Sequence, residues 1–165
     1  MESEIANATL KALRRILRAT EGGSRKLAVA TGLTPSQMLV LREIDAHAEG
    51  TPSALAKQLQ FSQATITAIV DRLVALDLAV RTRSDRDKRQ ILLSATAEGR
   101  RRVAEAPDML QGIFIDRFAA LPPWEQAMIL ASTERLAALL GAGEMDAAPL
   151  LDSGAIDRTG GADLA

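Results

Sequence analysis

The densest group of residues that could do chemistry lies between Arg81 and Arg102, where eight bases stand beside three acids. Its centre is the segment Asp85-Arg86-Asp87-Lys88-Arg89, in which acids and bases alternate. A guanidinium group is weakly hydrated and suits the negative potential of a narrow DNA minor groove. Each aspartate could hold an adjacent arginine in an extended rotamer. The alternative is a self-neutralised surface loop that contributes little stability.

A second group, upstream of the first, is polar but uncharged over its first half. Ser62, Gln63, Thr65, Thr67 and Arg72 lie away from the apolar stripe of one helical segment. Neutral side chains can contact base edges without desolvating an unpaired charge. A glutamine can pair with adenine, and threonine methyls can pack on thymine methyls. The alternative is that the Ser and Thr residues are only caps and surface filler, and this helix alone does not decide between the two interpretations. Together with the basic segment, this group of residues favours DNA binding.

A helix-turn-helix followed by a hairpin is predicted to carry both groups. Thr51-Pro52 is typical of a helix start, and Ser62 is predicted to cap a second helix that runs to about Leu76. After Asp77 the apolar period changes from helical to alternating, which predicts two strands around the loop 84–89. Leu78, Val80 and Thr82 should share one strand face, opposite Ala79, Arg81 and Arg83.

Two helices are predicted before the helix-turn-helix. The first covers about residues 3–28, with Gly22-Gly23 as a point where it could break or kink. The segment Thr34–Gln37 combines a cap, a first-turn proline and a capping box, and starts a helix that ends near Gly50. Its core-facing side is predicted to carry Met38, Leu41, Ile44 and Ala48.

Two more helices are predicted after the hairpin. Thr96 should cap a helix that Pro107 kinks or interrupts near Ala106. After Pro122-Pro123 a last amphipathic helix covers residues 124–140. Amphipathic helices cannot bury their apolar stripes alone, so we expect the terminal helices of two chains to form a two-fold dimer, with recognition helices about 34 Å apart. The residues expected in that interface are Ile5, Leu10, Leu13, Leu17, Ile129, Leu136 and Leu140.

Composition excludes several classes of function. The chain of 165 residues has no cysteine and one histidine, His47, so disulfides are excluded and a zinc site is improbable. We therefore expect no metal and no cofactor. No nucleophile–base pair and no phosphate-binding glycine loop is evident, which argues against an enzyme. Three Phe and one Trp are too few for a typical single-strand binder, which favours duplex DNA. The sequence contains no membrane-length apolar run and no signal pattern, so a cytoplasmic protein is expected.

The net charge of −1 conceals an uneven distribution. Residues 144–165 hold five acids and one base, which leaves 19 bases against 16 acids in the rest. We predict one compact chain over residues 1–141, mainly α with a small β-wing. A winged-helix domain at 33–95 would lie between dimerisation helices at 1–30 and 96–141. Residues 142–165 would form a flexible acidic tail.

Three segments resemble the MarR-type transcriptional regulators, a winged-helix family of bacterial and archaeal repressors. They are LTPSQMLVLREI at 33–44, SQATITAIVDRLVALDLAVR at 62–81 and SDRDKRQILLSATAEGRR at 84–101. The most specific element is Asp87-x-Arg89. The resemblance implies that this arginine enters the minor groove, that the aspartate positions it, and that the protein is an obligate dimer joined through its terminal helices.

The sequence departs from the family pattern at two positions. Asp77 stands where the family usually has glycine, and Ala95 where it usually has leucine. Aspartate tolerates the left-handed conformation better than most residues, so the turn should survive. Alanine leaves less bulk in the core.

The resemblance further implies release of DNA when a small, often aromatic and anionic, effector binds between the dimer helices and the winged domain. Candidate contacts are Arg14, Arg18 and His47. A lone helical histidine is more often structural. Among Arg14, Arg15 and Arg18, at least two are expected simply to face water. The leading hypothesis is a dimeric repressor of this type. The alternative is a winged-helix module without effector response, whose basic wing docks an acidic protein. The predicted DNA contacts are Ser62, Gln63, Thr65, Thr67, Arg72, Arg86, Asp87, Lys88 and Arg89.

Overall fold

The computed structural model of the chain describes residues 2–47 and 50–143. These residues fall into two compact units that meet at Pro107 and Asp108 in the chain. The predicted mainly α fold with a small β-wing is confirmed. The elements are α1 (Glu2–Thr31), α2 (Pro35–Ala46), α3 (Pro52–Leu59), α4 (Gln63–Ala75), β1 (Ala79–Arg83), β2 (Ile91–Ala95) and α5 (Ala97–Glu105) in the first unit, and α6 (Leu110–Ala119) and α7 (Pro123–Leu139) in the second.

Side-chain caps start the helices of the winged region where the sequence predicts them. The Thr34 hydroxyl accepts the N–H of Gln37 at 3.3 Å, and the Gln37 side chain accepts the N–H of Thr34 at 3.1 Å. Thr51 and Ser62 cap α3 and α4 in the same way. Each cap satisfies N–H groups that the first helical turn leaves without a partner.

Helix α1 is continuous through Gly22-Gly23 and ends later than predicted, at Thr31. Two glycines lower helix propensity by about 1 kcal/mol each relative to alanine, which a helix of this length tolerates. The helix ends where Gly32 adopts a left-handed φ of 70° and its N–H bonds to the carbonyl of Ala28.

The core of the first unit lies between α2, α4 and the base of the wing. Met38, Leu41 and Ile44 are buried as predicted, while Ala48 lies outside the described residues. Leu76, at the predicted end of the second helix, is 37% exposed, because α4 ends at Ala75 and the chain turns away. The other large buried apolar residues are Leu27, Leu33, Val40, Leu55, Phe61, Ile66, Ile69, Val70, Leu73, Leu78 and Leu93.

The wing is an antiparallel pair, β1 with β2, of which only the base meets the core. Leu78 and Ala79 are both buried, whereas Val80 is 39% exposed. Because β1 pairs Ala79 with Ala95 and Arg81 with Leu93, the face of Ala79 is the one that meets the core, and burial ends where the strands project beyond it. Leu93 is buried on the return strand and Ile91 is exposed, which fits the same projection.

Helix α5 packs closely on the turn that leads into the wing. Asp77 has a φ of 56°, so it adopts the left-handed conformation that the sequence analysis expected it to tolerate. The Thr96 hydroxyl donates to the carbonyl of Asp77 at 2.8 Å. A Cβ placed on Gly99 would lie 2.1 Å from the carbonyl oxygen of Leu78, so only glycine allows this approach.

The predicted interruption at Pro107 is confirmed, since α5 ends at Glu105 and α6 begins at Leu110. In the second unit, the rings of Phe114 and Phe118 stack at 5.2 Å. No helix in the described part of the chain is long and apolar enough to cross a membrane. The acidic tail was predicted at residues 142–165, of which residues 144–165 lie outside the described residues.

Candidate nucleic-acid interface

The exposed face of α4 is neutral at its start, and its hydroxyl groups are already hydrogen-bonded. The Ser62 hydroxyl accepts the N–H of Thr65 at 3.0 Å and lies 2.8 Å from the Thr65 hydroxyl. The Thr67 hydroxyl donates to the carbonyl of Gln63 at 2.8 Å. The capping alternative therefore accounts for Ser62 and Thr65. The groups left for a base contact are the exposed Gln63 amide and the methyl group of exposed Thr67; Arg72 is half-buried further along the helix.

The wing tip is held by hydrogen bonds to its own backbone. Buried Ser84 accepts the N–H groups of Arg86 and Asp87 through its hydroxyl, each at 3.3 Å. The Asp87 carboxylate accepts the N–H of Arg89 at 3.0 Å, and the N–H of Gln90 bonds to the carbonyl of Asp87 at 2.8 Å. These side chain-to-backbone bonds replace the glycine that a tighter hairpin turn would need. This role of Ser84 was not predicted from the sequence.

The wing presents an exposed row of basic side chains, namely Arg83, Arg86, Lys88 and Arg89. Arg81 differs, because its guanidinium Nη1 lies 2.5 Å from Oδ1 of Asp71 in α4. This ion pair joins the wing to the helix that carries the neutral face. The sequence analysis missed it, since charge alone does not indicate which side chains meet when α4 packs on β1.

The basic group found in the sequence divides into two parts in the structure. The arginines of α5 all bond to other groups of the chain, although Arg100 and Arg101 are also exposed to water. Arg100 donates to the carbonyl of Ala95 at 2.7 Å, and Arg102 donates to the carbonyl of Thr31 at the end of α1. The wing, with its exposed basic side chains, therefore remains the candidate DNA surface in this part of the chain.

Glu98 organises the remaining charges on α5. It accepts hydrogen bonds from Arg101 and Arg102, and Arg101 also pairs with Glu105. The hydrogen bonds from Arg101 and then Arg102 lower the pKa of Glu98 to about 2, and Glu98 in turn raises the pKa of Arg101. A carboxylate bonded in this way stays ionised far below its usual range.

The candidate effector residues lie in different surroundings. Arg14 and Arg18 are exposed, about one turn apart on α1. His47 is also exposed, and its Nδ1 lies 2.6 Å from Oε1 of Glu43, which also accepts a hydrogen bond from Gln58. His47 thus has the structural partner that the alternative interpretation requires. In the part of the chain that the structure describes, no three His, Asp or Glu side chains come together as metal ligands.

The candidate dimerisation residues are mostly exposed in the single chain. Ile5 is 67% exposed, and Leu10 and Leu17 are exposed beside it on α1, while Leu13 is half-buried. On α7 the residues Ile129 and Leu136 are half-buried, and Leu140, just beyond the helix end, is exposed. Large exposed apolar side chains on two terminal elements are typical of surfaces that meet a partner.

Comparison with known proteins identifies the family. A sequence profile described as the MarR family matches residues 31–90. The transcriptional repressor CouR, solved with a 23-mer DNA duplex, is 30% identical with a TM-score of 0.54, over 84% of this chain and 94% of CouR. The chain belongs to the MarR family. The resemblance inferred from Leu33–Ile44, Ser62–Arg81 and Ser84–Arg101 is thereby confirmed.

Two further relatives of this MarR-family chain support the assignment. The HTH-type transcriptional repressor MdtR of Bacillus subtilis (strain 168) is 35% identical over 68 residues, which are 41% of this chain and 44% of MdtR. The match thus spans less than half of MdtR. A MepR-like protein, solved with pseudoligands, is 27% identical with a TM-score of 0.57, over 81% of this chain and 94% of that protein. CouR and MdtR are named transcriptional repressors, which agrees with the expectation that the chain is not an enzyme.

Proposed function

We propose that the chain is a dimeric regulator that binds double-stranded DNA at a pseudo-palindromic site and represses transcription. The observation that carries this proposal is the neutral exposed start of α4 beside a basic wing whose tip is fixed by its own hydrogen bonds. A neutral helix face suits the major groove, and guanidinium groups suit the minor groove or the backbone. Membership of the MarR family, and the duplex bound by the similar repressor CouR, support the same function.

The proposal gives each exposed residue a distinct role. Gln63 and Thr67 read bases in the major groove, with Arg72 further along the helix at a phosphate. Ser62 and Thr65 hold the start of α4 against the DNA backbone. In the wing, Arg89 enters the minor groove and Asp87 holds its backbone. The basic side chains on either side of Asp87, those of Arg86 and Lys88, contact phosphates.

The test of DNA binding is selection from a pool of random-sequence duplexes by the full-length protein. We expect enrichment of an inverted repeat whose half-sites are about one helical turn apart. Affinity for the enriched duplex should fall steeply with salt, because phosphate contacts release counterions. Failure to enrich any sequence would contradict the proposal. Capture of acidic peptides instead would favour the protein-docking alternative.

We further propose that DNA release is controlled by a small anionic or aromatic effector. The MepR-like relative was solved with pseudoligands. In this chain the exposed guanidinium groups of Arg14 and Arg18 and the His47–Glu43 pair are the candidate contacts. Benzoate and salicylate are suitable probes. A compound that raises the melting temperature and also releases the selected duplex would support the proposal, and stabilisation without release would contradict it.

A further inference from the structure

Three exposed residues of α4 lie in one row along the helix. Gln63, Thr67 and Asp71 are spaced by four residues, so they share one face. The hydrogen bond from the Thr67 hydroxyl to the carbonyl of Gln63 runs along this row. The first two residues are the proposed base contacts. Asp71 therefore extends the DNA-facing row with a carboxylate that is 57% exposed.

A carboxylate in that position is unfavourable for DNA binding taken alone, because the phosphates repel it. Asp71 is paired, however, with Arg81 of β1 at 2.5 Å. The ion pair engages one basic side chain of the wing that could otherwise contact DNA. It adds little stability to the fold, since both groups are partly exposed to water. Neither attraction to the DNA phosphates nor a contribution to the stability of the fold therefore accounts for the Asp71–Arg81 pair.

We propose that Asp71 is a positioning residue that sets the wing relative to α4, so that Gln63 and Arg89 reach the same duplex together. The inference rests on the proposed DNA binding and adds to it a specific link between two elements of the fold. The link lies between the row on α4 and the strand that leads to the wing tip. Without it, each element can still touch DNA, but the two no longer fit one half-site at the same time.

Substitution of Asp71 separates this role from a simple effect of charge. Asp71→Asn removes a negative charge and releases Arg81, so electrostatics alone predicts tighter binding to any duplex. Positioning predicts the opposite for the selected duplex, with affinity about tenfold lower, comparable to the loss of one base contact. Binding to an unrelated duplex of equal length should be unchanged or tighter.

The experiment measures binding of full-length wild type and variants to the duplex selected by the wild type and to the unrelated duplex. Asp71→Glu keeps the charge and should retain most of the selectivity. Asp85→Asn removes an exposed carboxylate from the wing loop and should raise affinity for both duplexes. The double variant Asp71→Asn with Arg81→Gln keeps the net charge, and should lose selectivity as the single variant does.

A hydroxyl-radical footprint gives the structural readout. In the Asp71→Asn complex, protection of the minor groove at the wing positions should be lost while protection at the helix positions remains. If Asp71→Asn and the double variant bind both duplexes with wild-type selectivity, the positioning role is wrong although DNA binding stands. If the wild type itself selects no duplex, the proposed function fails, and this inference fails with it.

Discussion

Asp87 and Arg89 illustrate how two charged residues in one loop do different work. The carboxylate of Asp87 accepts the backbone N–H of Arg89, so it fixes where the chain places the arginine. The guanidinium of Arg89 is exposed. In the wing tip, Arg89 thus supplies the positive charge, and Asp87 fixes the backbone that carries it.

Replacement of Arg89 by alanine should weaken binding to the selected duplex by about ten- to a hundredfold, since a lost specific contact costs about 1–3 kcal/mol. The melting temperature should not change, because this side chain lies on the surface. Fluorescence anisotropy with labelled duplex measures the first effect and circular dichroism the second. Arg117→Ala, an exposed arginine of α6, is the charge-matched control. An equal loss in both variants would indicate that only overall charge matters.

Helix α5 determines how the wing base is held. It approaches the turn before β1 so closely that the position of Gly99 has no room for a side chain. Its arginines reach outward to other elements, Arg100 to the end of β2 and Arg102 to the end of α1. At the scale of elements, α5 therefore joins the wing to the long N-terminal helix.

Replacement of Gly99 by alanine should lower the free energy of unfolding by at least about 1–3 kcal/mol, because the added Cβ meets a backbone carbonyl rather than a movable side chain. Urea unfolding measures the change. Gly22→Ala in α1 is the control, since a Cβ there meets nothing within 4 Å. That variant should gain about 0.5–1 kcal/mol through helix propensity. A stabilised Gly99→Ala variant would show that α5 is not held as close as described.

The Glu98 cluster should make stability depend on acidity. Because Arg101 and Arg102 hold the pKa of Glu98 at about 2 in the folded chain, below the value of 4.5 for a free glutamate, its contribution is complete above about pH 4.5. The contribution is lost as the pH falls through about 2. Glu98→Gln should therefore melt at a lower temperature than wild type near neutral pH, with the difference vanishing near pH 2. Asp116→Asn, an exposed acid of α6, is the control. A difference independent of pH would contradict the assignment.

Local features of the fold were predictable from sequence, because their partners lie within a few residues. The caps at Thr34, Thr51, Ser62 and Thr96 each bond to an N–H three residues further on. The break at Pro107 follows from the missing N–H of proline. For the same reason the helix-turn-helix and the wing could be located before the structure was known.

The contacts that connect elements were not predictable in the same way. Arg102 and Thr31 are separated by 71 residues, and no pattern in the sequence links them. In the sequence, nothing distinguishes Arg81 from the other basic residues of the wing. In the structure it is paired with Asp71. Likewise, which face of β1 meets the core follows from its pairing with β2, and the alternation within β1 alone does not indicate it. The candidate site was thus predicted in its residue types but not in its internal connections.

At the scale of the whole molecule, the exposed apolar side chains of α1 and α7 support the proposed dimer. A two-fold dimer presents two recognition helices, and the second half-site then binds at high effective concentration. We expect the double variant Leu10→Glu with Leu17→Glu to be a monomer by light scattering. Its affinity for the full inverted repeat should fall by about a hundredfold or more, towards that for a single half-site.

Val29 provides the control for this prediction. It is an apolar residue of the same helix and is 82% exposed, but it lies beyond the stretch from Ile5 to Leu17 in which the interface residues of α1 are expected. Val29→Glu should leave both the dimer and the affinity unchanged. If the Leu10 and Leu17 variant remains dimeric, the interface does not use this stretch of α1. If it is monomeric yet binds the full repeat as tightly as wild type, then each chain recognises DNA independently, and the spacing of the half-sites is not set by the protein.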